Sequence, residues 1–243
     1  MRIPHIYTCQ SLTSGKTVTL EEGPSRHISQ VLRLQPNNEL SLFNGDGQQY
    51  NARLQCSSKH KAEAEIISVT ENSTEPPIHF TLALGISKGE RVDYALQKAV
   101  ELGISCFTPL FTERTVVKLK GERLERRLNH WKKIAIAACE QSGRNTIPTI
   151  EAAQQFDDWI VQAQQDTRLI LHPNGAQSLN MLPVPNDSVL LLIGPEGGLS
   201  GKEIAAAEAN GFTAVKLGPR ILRTETAPIA TLAAMQMLWG DFR

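Results

Sequence analysis

Arg220, Arg223, Thr224, Glu225 and Thr226 fall within seven residues of one another, in the segment Leu217-Gly218-Pro219-Arg220-Ile221-Leu222-Arg223-Thr224-Glu225-Thr226-Ala227. Two guanidiniums beside a glycine loop can hold a phosphate or stabilise a developing anion. The same residues also admit a plainer role, in which Arg223 pairs with Glu225, and Thr226 caps a helix whose first turn accepts Pro228. A second loop, Gly194-Pro195-Glu196-Gly197-Gly198, follows the apolar run Val189–Ile193. Glycine there lets backbone approach a ligand, and N–H groups at a helix start can hold an anion. The chain has no G-x-G-x-x-G, and GPEGG lacks the Lys-Ser/Thr of a P-loop, so the dinucleotide and nucleoside-triphosphate readings lose their main support. A third polar cluster is Glu140-Gln141-Ser142-Gly143-Arg144-Asn145. His172 ends an apolar run before Pro173, where a structural role is commoner than a chemical one. No Ser-His-Asp or metal-ligand arrangement stands out.

These residues need elements to place them. Val189–Ile193 and Thr213–Leu217 read as strands, each running into one of the loops. Ser200-Gly201-Lys202-Glu203 fits a capping box that opens a helix ending near Gly211. Ala227 to Trp239 reads as a last helix whose only polar side chains are Thr231 and Gln236. Such a helix belongs in a core or at a subunit interface. Upstream, Ile78–Ile86 and Ile104–Phe111 are strand-like. Between them Ser87-Lys88-Gly89-Glu90 suggests another capping box, for a helix that buries Val92, Ala95, Leu96, Ala99 and Val100 and stops at Gly103. A long helix is expected from about Glu122 to Gln141, and a short strand over Arg168–His172. Strands alternating with helices at this spacing predict an α/β fold with a parallel sheet. Ligands of such sheets sit beyond the carboxyl ends of the strands, so the two loops are expected to share one pocket.

The first 72 residues differ. Glu39–Asn44, Tyr50–Cys56 and Ala62–Ile67 read as strands around the turn Gly45-Asp46-Gly47, which suits a small barrel. Only His27–Leu34 looks helical there, with Pro36 closing it. Asn72-Ser73-Thr74-Glu75-Pro76-Pro77 is the expected linker, giving a domain over 1–72 and another over 73–243.

Formal net charge is zero over 243 residues, so no global field advertises nucleic acid. The distribution is uneven: residues 86–144 carry twelve Lys/Arg against seven Asp/Glu, an excess of five. A local basic surface serves RNA as well as a basic whole, and a solvated helix face explains it equally well. Cys9, Cys56, Cys106 and Cys139 are too scattered for a disulfide framework or a zinc site. No secretory signal or apolar membrane span is visible, so a reducing cytoplasm is the expected setting.

Leu192–Ser200 together with Leu217–Ala227 resembles the RsmE family of SPOUT-class RNA methyltransferases. Weaker likenesses extend it over the whole chain: Met1–Tyr7, His27–Arg33 and Ile134–Asn145. The resemblance implies a PUA-like β-barrel that binds RNA, then an α/β domain with a deep trefoil knot, acting as a homodimer. It implies methylation of N3 of a uridine in 16S ribosomal RNA of the small subunit, with S-adenosylmethionine as methyl donor. Carried over by position, the cofactor residues are Leu171 and His172; Ile193, Gly194, Pro195, Glu196, Gly197 and Gly198; and Leu217, Gly218, Ile221, Leu222, Arg223, Thr224, Thr226 and Ala227. Uracil N3 carries a proton at neutral pH, so a base or an anion stabiliser is needed. Glu140 or Glu225 is the candidate base, and Arg144 or Arg223 the candidate stabiliser. Arg33, Arg123, Arg126, Lys132 and Lys133 are the candidate contacts to RNA. Two rival classes stay open: a non-catalytic RNA-binding module, and an α/β enzyme on a phosphorylated metabolite.

Overall fold

The computed structural model describes residues 3–71, 74–175 and 177–242. It divides the chain into two units: Met1–Glu75 with Cys139–Ile147, and Pro76–Ala138 with Pro148–Arg243.

The first unit is a five-stranded sheet. Its strands are β1 (His5–Tyr7), β2 (Thr17–Leu20), β3 (Glu39–Phe43), β4 (Gln49–Ser57) and β5 (Ala62–Thr70), paired in the order β1-β3-β4-β5-β2. The path of paired strands ends at β1 and β2, so the expected barrel is observed as this sheet. Alternation buries Tyr50, Ala52 and Leu54 of β4 and Ala62, Ala64 and Ile66 of β5 in one core with Ile6, Leu40 and Ile28. Period-two burial is what makes these segments legible as strands. The three- and four-residue outer strands β1 and β2 were not anticipated. The expected helix at His27–Leu34 starts earlier, as α1 (Glu22–Arg26), and runs into a π-turn over His27–Val31. Pro24 disguised it, but Pro24 lies in the first turn, where its missing N–H leaves no helical bond unmade.

The second unit holds eight strands. They are β6 (His79–Gly85), β7 (Ile104–Phe111), β8 (Thr149–Ile150), β9 (Gln154–Gln155), β10 (Thr167–Leu171), β11 (Gln177–Ser178), β12 (Ser188–Ile193) and β13 (Thr213–Lys216). The order is β11-β13-β10-β12-β6-β7-β8, with β9 also on β7, and every pair is parallel. The central strands β6 and β12 are apolar apart from His79, Thr81 and Ser188, because a parallel sheet buries both faces. Helices α2 (Arg91–Glu101), α3 (Glu122–Ser142), α4 (Phe156–Ile160), α5 (Gly201–Ala209) and α6 (Thr226–Trp239) connect or follow the strands, and the last turn of α3 groups with the first unit.

Helix α2 buries the expected stripe of Val92, Ala95, Leu96, Ala99 and Val100. Its expected capping box is absent: Glu90 is the N-cap without a side-chain bond, and the Ser87 hydroxyl donates to the Gly85 carbonyl. The second capping box is formed. Ser200 Oγ accepts from Glu203 N, and Glu203 Oε2 accepts from Ser200 N at 2.8 Å. Helix α6 packs on α2 and buries two of its three polar residues with partners: Thr231 Oγ1 donates to Ala227 O, and Gln236 Nε2 donates to Leu102 O, while Thr226 is exposed. Its Met237 and Leu238 side chains lie on the outer face, 65% and 42% exposed. No helix among the described residues is long and apolar enough to cross a membrane.

Candidate active site

Parallel registers bring four strand ends to one edge of the second unit. Ile193 pairs with Leu84, Ile170 with Leu192, and Leu171 with Val215. The chain leaves this edge at Gly85, His172, Gly194 and Leu217, so the loops that follow enclose a common cavity of about 560 Å³. That volume suits a small-molecule ligand.

The first loop is held from three sides. Gly198 N donates to Pro195 O at 2.8 Å, closing a turn in which Gly198 takes φ +69°. Arg114 Nη1 donates to Gly197 O at 2.7 Å. Glu196 Oε1 accepts from Lys88 N at 2.9 Å and from Arg91 Nη1. Burial pushes the Glu196 carboxyl up, but hydrogen bonds from its own backbone, Ser87, Lys88 and Arg91 outweigh it and hold the group below the usual carboxylate range. The expected capping-box serine therefore serves this loop instead of α2.

The second loop passes Gly218, at φ +70°, and enters α6 with Arg223 O accepting from the N–H groups of Thr226 and Ala227, both at 2.9 Å. Arg223 and Glu225 do not pair with each other. Glu225 Oε2 lies 3.9 Å from Arg91 Nε and has no hydrogen-bond partner although buried. Among the described residues the Arg223 side chain makes no hydrogen bond or ion pair, and it is exposed at the cavity wall. Thr226 is not the cap: it is the first helical residue, exposed, and Glu225 precedes it as N-cap.

Every residue named for the cofactor except Thr226 lines this cavity, and so do Arg223 and Glu225 of the catalytic set. His172 does so at the end of β10, its Nδ1 accepting from Asn174 N at 3.3 Å. Arg91, Arg114 and Arg220 also line it. Arg91 and Arg114 were not named from the sequence. Their signal was position: Arg91 follows β6, the neighbour of β12, and Arg114 follows β7, the next strand out, both at the edge where ligands bind.

Glu140 and Arg144 belong to the first unit. Glu140 Oε1 accepts from Tyr7 N at 3.0 Å, and burial pushes its carboxyl up against that bond and the nearby His27. Arg144 is buried, pairs with Glu75 through Nε at 3.0 Å and through Nη2, and its carbonyl accepts from His5 Nε2. Both side chains therefore have structural work inside that unit.

Of the RNA candidates, Arg33 is exposed at φ +52° beyond the π-turn, in the first unit. Arg123, Arg126, Lys132 and Lys133 are exposed on α3, where Arg126 pairs with Glu122 at 2.8 Å. Arg127 is occupied otherwise, on Asp93 at 2.7 Å and over the Trp131 ring.

A family profile described as an RNA methyltransferase domain matches residues 74–236, and one described as an RNA methyltransferase PUA domain matches residues 21–67. The chain is 35% identical to the ribosomal RNA small subunit methyltransferase E of Buchnera aphidicola over 241 residues, covering 99% of this chain and 98% of that one. It is 32% identical to the protein of the same name from Bacillus subtilis, covering 96% of each. Among solved structures, the ribosomal RNA small subunit methyltransferase E of Neisseria gonorrhoeae bound to S-adenosylmethionine aligns over 100% of both chains at 42% identity, with TM-score 0.94. A Legionella pneumophila methyltransferase in complex with the same cofactor aligns over 100% of both at 39% identity, with TM-score 0.96.

Proposed function

The chain belongs to the ribosomal RNA small subunit methyltransferase E family, and on that premise we propose that it methylates N3 of a uridine in 16S ribosomal RNA, with S-adenosylmethionine as methyl donor. The observation that carries the reading is the cavity at the carboxyl edge of the parallel sheet.

The residues present suit this cofactor. Gly198 and Gly218 line the cavity, and a Cβ on either would meet nothing within 4 Å. Side chains there would project into free space that a ligand can fill. Arginines and two carboxylates, Glu196 and Glu225, share the wall, which matches a ligand carrying both signs of charge. The loops Ile193–Gly198 and Leu217–Ala227 would hold it, largely by backbone. When bound, S-adenosylmethionine supplies an activated methyl group, so the protein's task is to position the base and manage its charge.

Uracil N3 becomes a good nucleophile only when its proton leaves. Glu225 would accept that proton, a reading supported by its Oε2 having no hydrogen-bond partner. Arg223 would stabilise the uracil anion, a reading supported by a guanidinium that is not committed elsewhere. N3 lies on the Watson–Crick edge, so the base must be unpaired when it enters.

The first unit, as a PUA-like RNA-binding domain over 1–72, would grip ribosomal RNA through Arg33, with Arg123, Arg126, Lys132 and Lys133 of α3 adding phosphate contacts. The same reading gives the C-terminal loops a deep trefoil knot within a domain over 73–243. The order β13-β10-β12-β6, which sets β10 between two later strands, supports it. The exposed Met237 and Leu238 of the apolar α6 support a homodimer through that helix. A ribosomal substrate supports a cytoplasmic setting.

The deciding experiment combines purified protein, labelled S-adenosylmethionine and small subunits lacking the modification. Label recovered as 3-methyluridine in 16S rRNA is expected. No incorporation, or another methylated nucleoside, would overturn the proposal.

A further inference from the structure

The two carboxylates of the cavity are in unlike states. Glu196 is held, with donors from Lys88 and Arg91 both on Oε1. Glu225 Oε2 is buried without a hydrogen-bond partner, and its nearest cation is Arg91 Nε at 3.9 Å. That separation is too long for a hydrogen bond but short enough for a charge interaction. One guanidinium thus stands between two carboxylates that lie 29 residues apart in the chain, and it comes from neither of their loops. Arg91 is the first residue of α2, after the β6 strand end. A planar fork can address two carboxylates with different nitrogens, which an ammonium cannot do from one position.

We propose that Arg91 is a positioning residue for the cofactor cavity: it joins Glu196 of the first loop to Glu225 of the second, so that both loops close on S-adenosylmethionine together. The inference rests on the cofactor reading above. Without Arg91, Glu196 keeps its Lys88 contact, but Glu225 loses its 3.9 Å charge contact to the residue that also holds the first loop. The Arg91 side chain is 44% exposed, so its removal takes little from the core.

The test is calorimetric titration of S-adenosylmethionine into the full chain and into R91K, R91M, E225Q and R91M/E225Q, each checked by thermal unfolding. R91M is expected to bind about tenfold more weakly, and R91K to fall between it and wild type. In R91M/E225Q the losses should combine to clearly less than the product of the single effects, because the two residues act through one contact. Steady-state rates should show R91M raising KM for the cofactor by about tenfold, as expected for lost binding. Binding by R91M within about twofold of wild type, or fully multiplicative effects, would overturn the proposal. Failure of the wild-type chain to bind S-adenosylmethionine would instead overturn the cofactor reading.

Discussion

Gly85 and Pro195 touch so closely that a Cβ at position 85 would lie 2.4 Å from Pro195 Cδ and 2.5 Å from Pro195 N. The end of β6 thereby sets where the first loop leaves β12. Gly194 is as confined, since its Cβ would lie 2.7 Å from Leu199 N. Both obstacles are backbone or a ring and cannot swing aside. Gly85→Ala is expected to displace the loop and weaken S-adenosylmethionine binding by more than about tenfold, measured by calorimetry, with the chain still folded. Gly197→Val should act more mildly on the loop, because its Cβ meets the flexible Arg114 side chain at 3.1 Å.

Arg223 contributes its carbonyl to the start of α6, while among the described residues its side chain makes no hydrogen bond or ion pair. Arg223→Ala should therefore leave unfolding free energy within about 0.5 kcal/mol of wild type. Turnover should fall by about a hundredfold or more, as for loss of an anion-stabilising donor. Methylation at the wild-type rate would assign the guanidinium no part in the reaction.

Two caps give a contrast within one unit. Ser200 makes both bonds of its capping box, and Ser200→Ala should cost about 1 kcal/mol in urea unfolding. Thr226 makes no cap and is exposed, so Thr226→Ala should fall within about 0.5 kcal/mol of zero and leave cofactor affinity unchanged.

Glu196 sits below its ordinary value of 4.5 because its hydrogen bonds outweigh its burial. A depressed folded value means that the ionised form contributes stability, present in full above the unfolded value and lost as pH falls through the folded one. Melting temperature should thus drop below about pH 4.5, and Glu196→Gln should flatten that limb while lowering stability at neutral pH. An unchanged acid limb would mean that the carboxylate is not what holds the loop.

Arg144, 3% exposed, pairs with Glu75 inside the first unit. Arg144→Ala leaves a partly buried carboxylate without its cation and should destabilise the chain by roughly 3–5 kcal/mol. A fall in turnover should come with that loss of stability in urea unfolding. Lost activity in a variant of full stability would return Arg144 to the chemistry.

Much of the second unit was readable because its signals are local. The stripe on α2, the Ser200 capping box and the apolar runs of β6, β7 and β12 each declare themselves within a dozen residues. The short pieces were not readable. β8, β9 and β11 have two residues each and are strands only because a neighbour pairs with them. Ser87 misled for a related reason: its capping pattern was real, but Glu196, more than a hundred residues later, competes for that turn. The loops of the site were located from glycine and charge alone. Arg91 and Arg114 were missed because their partners, Glu196 and the Gly197 carbonyl, are distant in sequence, and no periodicity marks such a contact.

The grouping of Cys139–Ile147 with the first unit bears on how this protein can be taken apart. The chain crosses between the two units after Glu75, after Ala138 and after Ile147. Ile147 packs against Gly45, and Arg144 needs Glu75, so those nine residues complete the sheet-bearing half. A protease cut in the Pro76-Pro77 stretch would therefore not release an independent N-terminal piece, and a gene fragment starting at Pro76 would carry part of its neighbour's interior without the walls around it. The two halves are interleaved in the gene, and neither can be transplanted by a single splice.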